Sequence, residues 1–282
     1  MKKVLLLFIA VFVTVFSFAQ DAAEKLNQAQ EALKAQDYAK AYTLYDEAMG
    51  NLGDVQVDAS INFNIGFAAY KAENLEGAVK YFDKAIADGI NVSKSYEYKA
   101  LAYNDKKDYK NAVANFKKAI ESSEENTDDL VYNAAIAAYK GNMMGEAVEY
   151  FGKAAEAGYK GETATYYKAV ILKKQGKDDE YKATLVEGSA KYPSDDKISG
   201  ALANIYVSEG NELYKKGAAI LSAANQKVND GSLKTDDAAY TAEVEKAKVE
   251  LKAAVEILEK AKALDSSNAN AQTLLDACKA VL

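Results

Sequence analysis

Apolar residues along most of the chain recur at the three- and four-residue spacing of a helix face, and they do not alternate as strand residues would. Within that pattern a short phrase repeats. It reads Ala41-x-x-x-Tyr45-x-x-Ala48, Ala78-x-x-x-Phe82-x-x-Ala85, Ala112-x-x-x-Phe116-x-x-Ala119 and Ala147-x-x-x-Phe151-x-x-Ala154, with starts 37, 34 and 35 residues apart. On a helix these three positions form one stripe, a large side chain between two small ones, where a second helix can approach closely. Alanine alone would match often by chance in so alanine-rich a chain; the aromatic at a fixed period would not. One proline and an abundance of Ala, Leu, Lys and Glu favour helix throughout. Asp37, Glu73-Asn74, Lys107-Asp108 and Gly141-Asn142 supply turn and capping residues between the two helices of successive units. A single helical hairpin has too little core to stand alone. The pattern therefore predicts an all-α, right-handed solenoid of stacked helix-turn-helix units with the Ala and aromatic stripe buried between neighbours.

The repeat resembles the tetratricopeptide repeat family, whose units are helix pairs of 34 residues. The family's small residue in the middle of the first helix is matched by Ala29, Gly66, Ala100, Ala135 and Ala169. Its bulky residue opening the second helix is matched by Tyr38, Leu75, Tyr109 and Met144. A fifth, degenerate unit follows in phase, with Gly176 at the turn, Tyr181 in place of the first alanine, Leu185, Gly188 and then Pro193. The family's tryptophan is absent and its terminal proline occurs only as Pro193. Five units are expected at about 22–52, 59–90, 93–125, 128–160 and 162–194. The resemblance implies that the first helices line a concave face that takes an extended peptide or a helix. Family groove positions correspond to Phe63, Phe67 and Tyr70, to Tyr132, Ile136 and Tyr139, and to Tyr166, Val170 and Lys173. Some members clamp a peptide's terminal carboxylate with lysines and asparagines. Of those positions Asn64 and Lys94 match, while Leu26, Gln30 and Tyr98 do not.

After Pro193 the phasing stops. From Lys197 to about Asn225 the apolar residues Leu202, Ile205, Tyr206, Leu213, Ile220 and Leu221 predict one long helix, or two broken near Gly210. Residues 229–237 are polar and turn-rich, a loop. The phrase returns as Ala254-x-x-x-Leu258-x-x-Ala261, so residues 195–282 read as a degenerate sixth unit with lengthened helices, closed by a capping helix from about Asn268 to Leu282.

The start of the chain has another character. Lys2 and Lys3 precede an uncharged apolar run from Val4 to Phe18, and Ser17-Phe18-Ala19 offers a signal-peptidase site, so residues 1–19 are expected to be a signal peptide. Gln20 rather than cysteine would follow the cut, so the exported protein is expected to be unlipidated; the resemblance, with no wall anchor read in the sequence, implies the periplasm of a Gram-negative bacterium. No stable membrane insertion is expected after cleavage, since the run is short for a bilayer span.

Composition narrows the chemistry. All 35 basic residues are lysines, histidine is absent, and the net charge of −7 becomes −9 without residues 1–19. There can be no Ser-His-Asp triad, imidazole metal site or arginine clamp. So acidic a chain, with acids interleaved among its lysines, is not expected to bind nucleic acid or an anionic membrane surface. The acidic runs Glu121 to Asp129 and Asp230 to Asp237 lack calcium-loop spacing and read as solvated turns. Cys278, the lone cysteine, reads as a small buried residue on an apolar helix face. No cofactor, metal or catalytic residue is assigned. The expected function is a non-enzymatic scaffold of the cell envelope that binds a protein or peptide. A cell-wall-active enzyme using a catalytic glutamate and a self-assembling structural protein, a homo-oligomer, are the alternatives.

Overall fold

A computed structural model describes residues 17–282, with side chains from Gln20 onward. Most of the expected signal peptide, residues 1–16, lies outside the described residues. The expected cut after Ala19 falls in the first turn of the first helix.

Among the described residues the chain is all α. Unit 1, up to Tyr159, holds α1 (Ser17–Lys34), α2 (Tyr38–Gly50), α3 (Ile61–Lys71), α4 (Leu75–Ala87), α5 (Val92–Asp105), α6 (Tyr109–Glu121), α7 (Asp128–Lys140) and α8 (Met144–Ala157). Unit 2, from Lys160, holds α9 (Gly161–Lys174), α10 (Asp178–Lys191), α11 (Asp196–Asn229), α12 (Ala238–Leu264) and α13 (Ala269–Lys279).

In unit 1 each helix packs on the helices before and after it, and α3 also reaches α5. This is the nearest-neighbour packing of a repeat array. The repeated phrase lies on α2, α4, α6 and α8, and all twelve of its residues are buried. Full burial of each aromatic contributes about 1.5–3 kcal/mol. The small residue of the first helix and the ring of the second explain one another. A Cβ on Gly66 of α3 would stand 2.8 Å from Cδ1 of Phe82 on α4, so the ring occupies the space a side chain would need.

The turn inside each pair is built five times with one geometry. The amides of Gln36, Glu73, Lys107, Asn142 and Gly176 donate to the carbonyls of Leu33, Tyr70, Asn104, Tyr139 and Lys173. The next amides, of Asp37, Asn74, Asp108, Met143 and Lys177, donate to Ala32, Ala69, Tyr103, Ala138 and Leu172. That double bond is the Schellman closure of a helix, and it requires a left-handed residue. Accordingly Gln36, Glu73, Lys107 and Asn142 have φ of 61°, 59°, 60° and 58°, and Gly176 has 71°. The Asp37, Asn74 and Asp108 side chains then cap the following helix by accepting from Lys40, Gly77 and Asn111 amides.

In unit 2, α9 packs on α10, and α10 on α11. The 34 residues of α11 run unbroken for about 50 Å. Gly210 therefore does not break it. A seven-residue series of small residues explains why: Ala203, Gly210, Gly217 and Ala224 of α11 are buried, as are Ala247, Ala254 and Ala261 of α12. Leu258 and Leu251 fill the notches, with Cγ atoms 2.6 and 2.8 Å from where Cβ atoms of Gly210 and Gly217 would be. The glycines are contacts between two long helices. The last helix, α13, packs on both, burying Leu275 and Cys278 against Leu251, Ala254 and Leu258.

Candidate functional site

The groove residues expected on α3 divide by depth. Phe63 and Phe67 are 2% and 5% exposed, whereas Tyr70 is half-buried. All three meet Tyr98 of α5, at ring-centroid distances of 6.2, 5.3 and 5.6 Å. Tyr98 in turn stacks on Phe82 at 5.7 Å and 13°. Tyr38 closes the cluster against Phe67 at 5.8 Å. These edge-on and stacked pairs join neighbouring helix pairs, so Phe63 and Phe67 serve the packing between repeats. Tyr98 is the hub that pattern reasoning missed. Its signal was its place on the first helix of the next unit, opposite three aromatics of α3.

Tyr70, like Tyr38 and Tyr98, is half-buried and carries this cluster toward the surface. Its hydroxyl donates to Asp105 Oδ2 at 3.2 Å, and burial, reinforced by Asp105, pushes its pKa up to about 12. On α7, Tyr132 is buried, its ring edge-on to Phe151 and Tyr159, both at 5.9 Å. Ile136 and Tyr139 are half-buried. The carboxylate-clamp positions of unit 1 are put to other uses: Leu26 is in the core, Lys94 is ion-paired with Glu97, and Tyr98 is within the aromatic cluster.

In unit 2 the expected residues Tyr166 and Lys173 of α9 line an open groove of about 690 Å³ bounded by α9, α10 and α11. This is the size range of a ligand site. Its aromatic wall is Tyr166 with the buried Tyr181. Burial, with Tyr166 nearby, raises the pKa of the Tyr181 phenol. Three lysines surround the wall. Lys173 Nζ lies 5.2 Å from the Tyr181 ring centre and Lys197 Nζ 5.8 Å from that of Tyr166, both within cation–π reach. Lys182 is 2.6 Å from Glu209 of α11. Along α11 the floor is made by Gly200, Ala201, Asn204, Ile205 and Ser208. The groove thus offers apolar and aromatic surface beside three lysines and the carboxylates of Asp178, Asp179, Asp196 and Glu209.

Val170, the other expected position on α9, is half-buried. Among the described residues no group of three or more Cys, Asp or Glu could hold a metal ion. In the inserted tip Asp230 accepts from Ser232, and Asp237 from the Lys234 amide, as turn carboxylates do. Cys278 is buried and its thiol pKa is raised by that burial. No helix among the described residues is long and apolar enough to cross a membrane.

The chain resembles tetratricopeptide-repeat proteins. No family model matches it. Human DnaJ homolog subfamily C member 7 is 23% identical over 205 residues, which is 72% of this chain and 37% of that protein. The chain thus spans little more than a third of the length of the curated relatives it matches. Among solved structures, a TPR repeats protein from Bacteroides fragilis is 21% identical, covering 93% of this chain and 99% of its own, at a TM-score of 0.38. A tetratricopeptide repeat protein from Parabacteroides merdae is 16% identical, covering 92% and 99%, at a TM-score of 0.47.

Proposed function

We propose that this chain is a non-enzymatic interaction scaffold of the cell envelope, and that it holds an extended peptide segment of a protein partner on its first helices. The observation that carries this reading is the open groove of unit 2. It has a ligand's volume, and Tyr166 and Lys173, which the family resemblance assigned to a groove, both line it. Tyrosine with lysine is well suited to peptides, the ring giving rigid contact area and the ammonium a charge-assisted donor. In unit 1 the half-buried Tyr70, Ile136 and Tyr139 are the corresponding contacts, supported from beneath by Phe63, Phe67 and Tyr132.

Export rests on the basic start and the apolar run of residues 4–18. Intact-mass analysis of the protein recovered from a periplasmic extract is expected to show Gln20 as the first residue. A mass that includes residues 1–19 would contradict cleavage.

Selection of a random-peptide phage library on the full chain tests the peptide reading. Enrichment of a recurring sequence is expected, and Tyr166→Ala combined with Lys173→Ala should weaken capture about tenfold or more with unchanged helical circular dichroism. A library that yields no enriched sequence would sink the reading.

A further inference from the structure

The expected cut after Ala19 leaves a chain that begins with glutamine, and the structure shows what that glutamine stands on. The core starts two residues later: Ala22 and Ala23 of α1 are 1% and 3% exposed, and Leu26 is 2% exposed. Lys25 reaches Asp21, one turn back on α1, and Glu47 of α2, each at 3.2 Å. Neither ion pair uses residues 17–19, so the cut shortens α1 by its first turn and leaves it docked on α2. Gln20 lies just outside these contacts. It is exposed, and its side chain holds no hydrogen bond to another described residue.

A chain start at that place favours one reaction. The first amides of a helix lack partners and its N-terminal end carries partial positive charge, so an α-ammonium group there is disfavoured and the neutral amine favoured. The neutral amine is a nucleophile. Asp21 is the neighbouring carboxylate that could hold the ammonium form, and it is already paired with Lys25. In glutamine the side-chain Cδ is placed to close an unstrained five-membered ring on its own amine. Asparagine at the same position would have to close a strained four-membered one.

We propose that Gln20 of the exported chain is a modification site, and that the mature protein begins with a pyroglutamyl residue. The Gln20 amine attacks its own Cδ. The N–Cδ bond forms, the Cδ–Nε2 bond breaks, and a proton from the amine leaves with Nε2 as ammonia, so no oxidant, metal or second substrate is consumed. The lactam keeps an N–H, removes the positive charge from the helix start, and presents no α-amine to an aminopeptidase. This matters at the open end of a repeat array, where the first helix has one neighbour fewer than those that follow: α1 packs chiefly on α2. Trimming past Asp21 would reach Ala22, Ala23 and Leu26 of the core, and the blocked amine prevents that trimming from starting. The inference rests on the export reading above and adds a covalent modification to it.

The test uses protein recovered from a periplasmic extract and held at neutral pH until its composition no longer changes. Digestion after lysine then releases the peptide from Gln20 to Lys25. Its mass is expected to fall below that of the linear peptide by one ammonia, about 17 Da. Pyroglutamyl peptidase should shorten it to the peptide from Asp21 to Lys25. A Gln20→Glu variant, whose carboxylate resists attack by an amine at neutral pH, should keep its linear mass. A peptide of linear mass from the unaltered chain overturns the lactam while export stands. A chain that starts at any other residue removes both.

Discussion

At the scale of single residues, the five identical turns show how little of a repeat depends on residue identity and how much on backbone. Position five of each closure must be left-handed, yet only the fifth unit supplies glycine there; Gln36, Glu73, Lys107 and Asn142 hold the conformation against the clash of Cβ with the following carbonyl. Asparagine tolerates this better than the other three. Glu73→Gly or Lys107→Gly is therefore expected to raise stability by about 0.5–1 kcal/mol, and Gly176→Ala to lower it by about as much. Chemical denaturation midpoints of the three variants check this, and a Glu73→Gly variant less stable than its parent would contradict it. The turns were legible in the sequence as punctuation, through Asp37, Asn74 and Asp108. The left-handed residue before each cap was not, because Gln, Glu and Lys carry no preference for it.

Among elements, the seam between α11 and α12 separates what periodicity can and cannot reveal. The Ala254, Leu258, Ala261 phrase located α12, since an apolar stripe at helical spacing announces itself without its partner. Gly210 and Gly217 were ambiguous. Glycine weakens a helix in isolation, and only the leucines seated on those two positions turn the same residues into contact sites. The expected aromatic groove met the same limit. The family resemblance placed Phe63, Phe67 and Tyr132 on first helices, but the depth of each ring is decided by what the next unit brings, as Tyr98 does for α3. Filling the seam tests its role: Gly217→Leu would drive a side chain toward Leu251 and the carbonyl of Ala247, 3.1 Å away. A loss of about 1–3 kcal/mol is expected, without loss of helix in the remainder of the chain. A neutral Gly217→Leu variant, measured by urea unfolding, would show that the two helices are not packed so closely.

For the molecule as a whole, the missing histidines become a statement about acidity. The chain has no histidine, the side chain whose unperturbed pKa lies nearest neutrality, and burial raises the pKa of the Cys278 thiol. Stability is expected to be level around neutral pH. The tyrosines then set the alkaline limit. Burial pushes the pKa of Tyr45 and Tyr70 up to about 12 from an ordinary value of 10.0, and raises Tyr81 and Tyr98 in the same direction. The folded state thus binds the phenolic protons more tightly than the unfolded chain. Their contribution is complete below the unfolded value and is lost as pH rises toward about 12. Circular dichroism followed with tyrosinate absorbance should show helix lost as the phenols ionise, and a transition near neutral pH would contradict the account. The nearest-neighbour packing of unit 1 has a consequence in time rather than energy. Because each helix meets its partners a few tens of residues away at most, little chain entropy is spent closing long loops before native contacts form. Nucleation can start at any hairpin and spread in both directions. Refolding of these eight helices should then be rapid, and forgiving of the order in which the chain is presented.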